Sequence, residues 1–143
     1  MAFTGNYMCT SFKVALLDGE MDFSSDTSQS FKIALYTSDA TLNAETTAYS
    51  TTNETSGTGY TAGGNTLTIA TNPTNDTSST VAYLDFSDTT WTSSSITARG
   101  ALIYKTGGTT PAVAVLDFGS DKTTSSSTFT VTFPTSAATS AII

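Results

Sequence analysis

The chain has 143 residues, with 32 Thr, 20 Ser, no His, one Cys, and 12 acidic against 5 basic groups, for a net charge of −7. That is about one domain, long enough to bury roughly two-thirds of the surface its unfolded form exposes. The absent His removes the commonest general base, so the many hydroxyls lack an activator and no enzyme is expected; an acidic surface repels phosphate, so no nucleic-acid partner is expected.

Thr fits a pleated, half-exposed strand, where its β-branch packs and its hydroxyl faces water. The composition therefore describes a rigid all-β scaffold with a polar skin. Eight Phe, six Tyr and Trp91 provide core material, so neither disulfide, metal nor cofactor is expected. Cys9 has no partner within the chain, which fits a reducing compartment of synthesis or a plain buried thiol. No apolar run approaches a membrane span, so no membrane partner is expected. The opening Met1-Ala2-Phe3-Thr4-Gly5-Asn6 lacks the features of a signal peptide, which points to synthesis in the cytoplasm as a soluble protein.

The first element is expected near residue 10. Thr10 and Ser11 suit an N-cap, Phe12, Ala15 and Leu16 share one helical face, and Gly19 suits a stop. A strand competes, because Phe12-Lys13-Val14-Ala15-Leu16 echoes Phe31-Lys32-Ile33-Ala34-Leu35. A short helix is the better reading, since no turn closes the segment after five residues. Residues 24–30 are then a polar connector. The division expected is an N-terminal arm and short helix at 1–30 and a β-sandwich at 31–143, one domain overall.

From Phe31 the pattern becomes strands and turns. Strands are expected at 31–36, 66–70, 80–86, 96–104, 112–118 and 128–133, separated by Ser/Thr/Gly/Pro turns at sandwich spacing. Residues 37–65 show little apolar periodicity beyond one candidate helical turn at 44–49. A loop this long is usually functional or wraps against something. Val81-Ala82-Tyr83-Leu84-Asp85-Phe86 recurs as Val113-Ala114-Val115-Leu116-Asp117-Phe118, and Ser triplets follow at the same offset. This fits two equivalent strand-and-loop units, each strand ending in an Asp. The fold expected is an all-β sandwich, jelly-roll-like, with one short N-terminal helix. Its expected core includes Phe31, Ile33, Leu35, Tyr83, Phe86, Leu102, Tyr104, Val115, Phe118, Phe129, Val131 and Phe133.

Candidate chemistry is sparse. The stretch from Gly57 to Gly64 lacks the Lys-Ser/Thr of a phosphate loop, and a strand rather than a helix follows it, so its glycines serve a folded loop. Asp85, Asp88, Asp117 and Asp121 have poor spacing for calcium and suit turns. Two glycosylation sequons, at Asn53 and Asn75, carry no meaning without a secretory signal. Arg99 is the only arginine. It suits a carboxylate pair, internal or on a partner. Trp91 suits core packing or an interface anchor.

Three stretches resemble a family of small Thr/Ser-rich structural proteins of tailed bacteriophages. They are Phe31–Ser38 with Ala40-Thr41-Leu42 and Thr47-Ala48-Tyr49; Gly57–Gly64; and Ile96–Tyr104 leading to Ala112–Phe118. The opening Asn6–Lys13 resembles it too, where the family carries a short helix. The resemblance spans nearly the whole chain and implies no catalytic, cofactor-binding or metal residues. It implies a virion component, best matched by a capsid decoration or cement protein made in the bacterial host cytoplasm. Such proteins bridge subunits of the major capsid protein on the head surface, as homo-dimers or homo-trimers. Phe3, Tyr7 and Phe12 are then expected to order on binding as arm anchors, with Tyr49, Tyr60, Trp91 and Arg99 as further contacts. The alternative is a tail, baseplate or head-fibre component in which Tyr49, Tyr60 and Trp91 serve carbohydrate.

Overall fold

The computed structural model describes residues 3–135 and Ala137, apart from Ser25, Thr27, Ser79 and residues 108–110. It is all-β with one short helix near the N-terminus. Nine strands and that helix follow in the order β1 (Tyr7–Met8), α1 (Thr10–Leu17), β2 (Phe31–Tyr36), β3 (Asn65–Thr66), β4 (Ile69–Asn75), β5 (Ala82–Phe86), β6 (Thr89–Ser94), β7 (Thr97–Lys105), β8 (Ala112–Thr123) and β9 (Ser127–Val131). Every pairing is antiparallel. Five strands form one sheet in the order β1-β8-β7-β2-β3, while β4-β5 and β6-β9 are separate ribbons. A jelly roll spreads eight strands over two sheets. The pairing here divides nine strands five, two and two.

The ribbons face one side of the large sheet. Phe86 of β5 lies 6.4 Å from Phe31 of β2, and Phe129 of β9 lies 6.2 Å from Phe118 of β8. The opposite side is covered as well, so β2 is buried along nearly its whole length. Pairing sets Lys32 against Tyr104, Ala34 against Leu102 and Tyr36 against Gly100. Since side chains alternate across a strand, these six share the second face. Phe3 packs over Gly100, Tyr49 stacks on Tyr104 at 4.6 Å, and Tyr36 donates its hydroxyl to the Ser50 carbonyl. The long 37–64 connection is thus the cover of a sheet, which explains its lack of apolar periodicity.

That connection also completes an edge. β3 pairs with only two residues of β2, Lys32 and Ile33. Beyond them the Thr55 N–H donates to the Leu35 carbonyl, the Leu35 N–H donates to the Tyr60 hydroxyl, and the Thr37 N–H donates to the Asn53 carbonyl. A tyrosine oxygen therefore stands where a neighbouring strand would offer a carbonyl. Gly64 makes the close approach: a Cβ there would collide with the Ile33 carbonyl, and its φ of +67° lies in the left-handed region that favours glycine.

Helix α1 forms where expected, with a different cap. Cys9 occupies the N-cap in extended geometry with no side-chain capping bond. The Ser11 hydroxyl instead donates to the carbonyls of Thr46 and Ala112, tying the helix to the 37–64 connection and to β8. At the other end Gly19 turns at φ +73°, with the N–H of Gly19 on the Leu16 carbonyl and that of Glu20 on the Ala15 carbonyl. This is a Schellman stop, and Gly19 provides it as its position suggested.

Four expectations need correction. The segment before Phe31 is not a separate arm: β1 pairs with β8 through Tyr7↔Val115 and Met8↔Ala114, and Phe3, Phe12 and Phe23 belong to the common core. The 44–49 stretch makes no helical turn; Ala48 instead bridges Pro111. The two echoed segments are not equivalent, since β8 is an inner strand of the large sheet whereas β5 pairs only with β4. Of the expected core, Tyr83 and Phe118 are half-buried and the other ten are buried.

Candidate functional site

The expected arm anchors are already occupied at home. Phe3 is 6% exposed and Phe12 1% exposed, with Phe12 edge-on to Phe23 at 5.8 Å. Tyr7 is half-buried and shares a hydrogen bond with the Thr4 hydroxyl at 2.7 Å. Gly100 creates the seat for Phe3, because a side chain there would meet both the Phe3 ring and the Leu116 carbonyl. Arg99 stands beside it. Its guanidinium carbon lies 5.7 Å from the Phe3 ring centroid, and its Nη1 pairs with Asp117 Oδ1. The Asp117 backbone N–H donates to Asn6 Oδ1 at 2.7 Å. Arg99 thus closes an internal knot between the N-terminal segment, β7 and β8. Asp117 is interior to β8 rather than at its exit, held there by a bond from the Gly119 N–H.

The largest polar cluster converges on Glu54, a residue the sequence did not single out. Its Oε1 accepts from the Tyr60 hydroxyl and the Gly63 N–H, both at 2.7 Å, and its Oε2 accepts from the Tyr49 hydroxyl at 2.7 Å. The Tyr104 hydroxyl donates to the Gly63 carbonyl at 2.8 Å. Burial first, and then hydrogen bonding to Glu54, pushes the ionisation of Tyr49 and Tyr60 well above the ordinary tyrosine range. Tyr36 and Tyr104 shift the same way, chiefly through burial. Three donors on one carboxylate form a clasp for the 49–63 stretch. Alternating polarity would not have revealed it, since Glu54 lies in an irregular segment.

Trp91 is core. It is 3% exposed, edge-on to Phe129 at 6.0 Å and 6.0 Å from Tyr60. With Tyr49 stacked on Tyr104, these three rings form no exposed platform of the kind a sugar stacks on. Cys9 is fully buried, and burial raises its thiol to about 11, so it stays protonated at neutral pH. Asp85 is a buried residue inside β5 that accepts a bond from the Phe86 N–H, and Asp88, between β5 and β6, accepts one from the distant Phe133 N–H, so neither bond is the turn contact expected of them. Among the described residues, no group of three or more His, Cys, Asp or Glu side chains could hold a metal ion. None of their helices is long and apolar enough to cross a membrane.

What the surface does offer is apolar and local. Among the described residues, the exposed large hydrophobics are Met8, Val14, Leu16, Leu17 and Val81, and four of these five lie between residues 8 and 17. Leu17 is 88% exposed and Val14 54%. The helix buries Phe12 and Ala15 and turns the others outward. An open cleft beside it is lined by Thr10, Ser11, Val14, Thr47 and Pro111. Scattered single apolar residues are ordinary on a surface; here four of the five fall within ten positions of the chain. These side chains lie on the same N-terminal segment as the expected anchors Phe3 and Phe12, which are the bulkier residues and are taken by the core. No protein-family model, curated protein or solved structure matches the chain.

Proposed function

We propose that this chain is a tailed-phage virion protein, a capsid decoration or cement protein that self-associates and bridges major capsid subunits on the head surface. The exposed Val14, Leu16 and Leu17 of α1 carry this reading: on an acidic, hydroxyl-rich chain they are the natural side chains to bury against a shell. The resemblance of residues 31–64 and 96–118 to phage structural proteins supports it. So does the tightly tied scaffold, in which a 28-residue connection is pinned down rather than left as a lid. Cementing requires interface that must be broken before capsomers separate. A standard interface buries roughly 1,600 Å² in total, and repetition over many sites multiplies the effect.

Two measurements test this. Cryo-EM of the particle should show many copies over the head; density confined to the tail would overturn the reading. In reconstitution, Leu17→Lys with Val14→Lys should weaken binding to undecorated shells at least tenfold, with circular dichroism unchanged. Undiminished binding would remove α1 as the attachment face.

A further inference from the structure

The β6–β9 ribbon leaves one strand edge open. β9 pairs with β6 through Thr89↔Val131, Thr90↔Thr130 and Trp91↔Phe129, and among the described residues no strand pairs with its other edge. A cleft of about 440 Å³ lies against β9, with Phe118, Lys122 and Thr123 of β8 and the following Thr124 as its other wall. Its lining includes five consecutive residues, 128–132, so the wall is the strand's backbone edge and not one row of side chains. Phe118 and Phe129, 6.2 Å apart, give the cleft its apolar surface.

Several other edges are blunted. β1 and β3 have two residues each, and β4 carries Pro73 and two register shifts. The far side of β6 is sealed by Asn65 Nδ2 donating to the Thr90 carbonyl and by the Thr58↔Ser95 bridge. β9 carries one register shift, between its Ser127 and Phe129 pairings, and none of the other devices. Its Ser127-Thr128-Phe129-Thr130-Val131 holds no charge and no proline, and no register shift falls between Phe129 and Val131. An open, regular, uncharged edge is a template for another strand.

Charge names the occupant. The chain carries −7 overall and repels its own copies, yet residues 123–143 contain no charged side chain. The one charged residue lining the cleft, Lys122, donates to the Ser120 hydroxyl at 3.0 Å. The edge of β9 is therefore where a second copy meets least repulsion. We propose that β9 pairs antiparallel with β9 of a second copy about a two-fold axis, joining two ribbons into one four-stranded sheet. Centred on Thr130, the register sets Thr130 against Thr130, Thr128 against the second copy's Thr132, and Phe129 against the second copy's Val131. The exposed threonines stay together on the wet face and the buried residues on the core face, whereas a one-residue slip would mix them.

This deepens the self-association in the decoration reading and rests on that part of it alone. The test is sedimentation velocity on the full chain over a concentration series, beside Thr128→Lys/Thr130→Lys. Wild type should pass from monomer to dimer, and the lysine variant should stay monomeric with an unchanged melting temperature. Mixing Thr130→Lys with Thr130→Glu should restore a dimer, which a folding defect would not. Hydrogen exchange at residues 128–132 should slow as wild-type concentration rises. A wild type monomeric at every concentration, a lysine variant as dimeric as wild type, or a mixture that stays monomeric would each overturn the pairing. Concentration-independent protection of the edge in a monomer would do so too, by showing that the chain's own residues cover it. Shell binding by a monomer would leave the capsid reading standing, and a dimer absent from particles would leave the pairing standing.

Discussion

Glu54 shows how one carboxylate can organise an irregular segment. It gathers two tyrosine hydroxyls and a backbone N–H, and one of those hydroxyls also completes the edge of β2 by accepting from Leu35. Glu54→Gln replaces one acceptor oxygen with a donor group facing donors, so stability should fall by about 1–3 kcal/mol, measured by chemical denaturation. Tyr60→Phe should do comparable damage because it leaves the Leu35 N–H without its acceptor. Gly100 is constrained by space instead. Gly100→Ala drives a methyl group into Phe3 and the Leu116 carbonyl and should cost about 1–3 kcal/mol by overpacking. If the variant melted like wild type, Phe3 would not be seated there.

Helix α1 is the element with two duties, an inner face in the core and an outer face left apolar. Its inner Phe12 joins the aromatic run through Phe23 and Phe31, so Phe12→Ala should cost about 3–5 kcal/mol. Deleting residues 1–8 removes Phe3 and all of β1, and the melting temperature should fall clearly; an unchanged value would mean that the segment contributes nothing to the fold. The helix and five strands were legible because their signals are local, namely apolar alternation, turn residues and Gly19, whereas the strand expected at 66–70 is split between β3 and β4, which join different sheets. β6 was not, since Thr89-Thr90-Trp91-Thr92-Ser93-Ser94 has two buried polar residues, Thr89 and Ser94, which break the apolar alternation. β1 is two residues long and exists only because β8 accepts it, a pairing across more than a hundred positions that no local pattern announces. The same reasoning covers the candidate site. Exposure of Val14 and Leu17 depends on what fails to pack on them, whereas Phe3 and Phe12 carried the stronger sequence signal and went inward.

At the scale of the molecule, the polar groups buried by folding set a pH limit on the alkaline side. Cys9 titrates ordinarily at 9.0 and is raised to about 11, and Tyr36, Tyr49, Tyr60 and Tyr104 are raised above their ordinary 10.0. A raised value means that the folded state keeps its proton where the unfolded chain would release it. The resulting stability is complete below the unfolded values and is lost as pH climbs through the folded ones. The melting temperature should not fall through titration of these groups below 9.0 and should fall increasingly above it, with tyrosinate absorbance from these four rings, read in a Tyr7→Phe/Tyr83→Phe background, rising only as the chain unfolds. Tyrosinate appearing in that background before the structure is lost would contradict the buried clasp. One further consequence is optical. Trp91 is the only tryptophan, sits against Phe129 of the open-edged ribbon, and turns its indole N–H toward no acceptor among the described residues. A lone indole in so dry a setting should emit at the blue end of its range and shift red when water reaches the ribbon. The protein thereby carries its own dye-free reporter of whether β6 and β9 are closed.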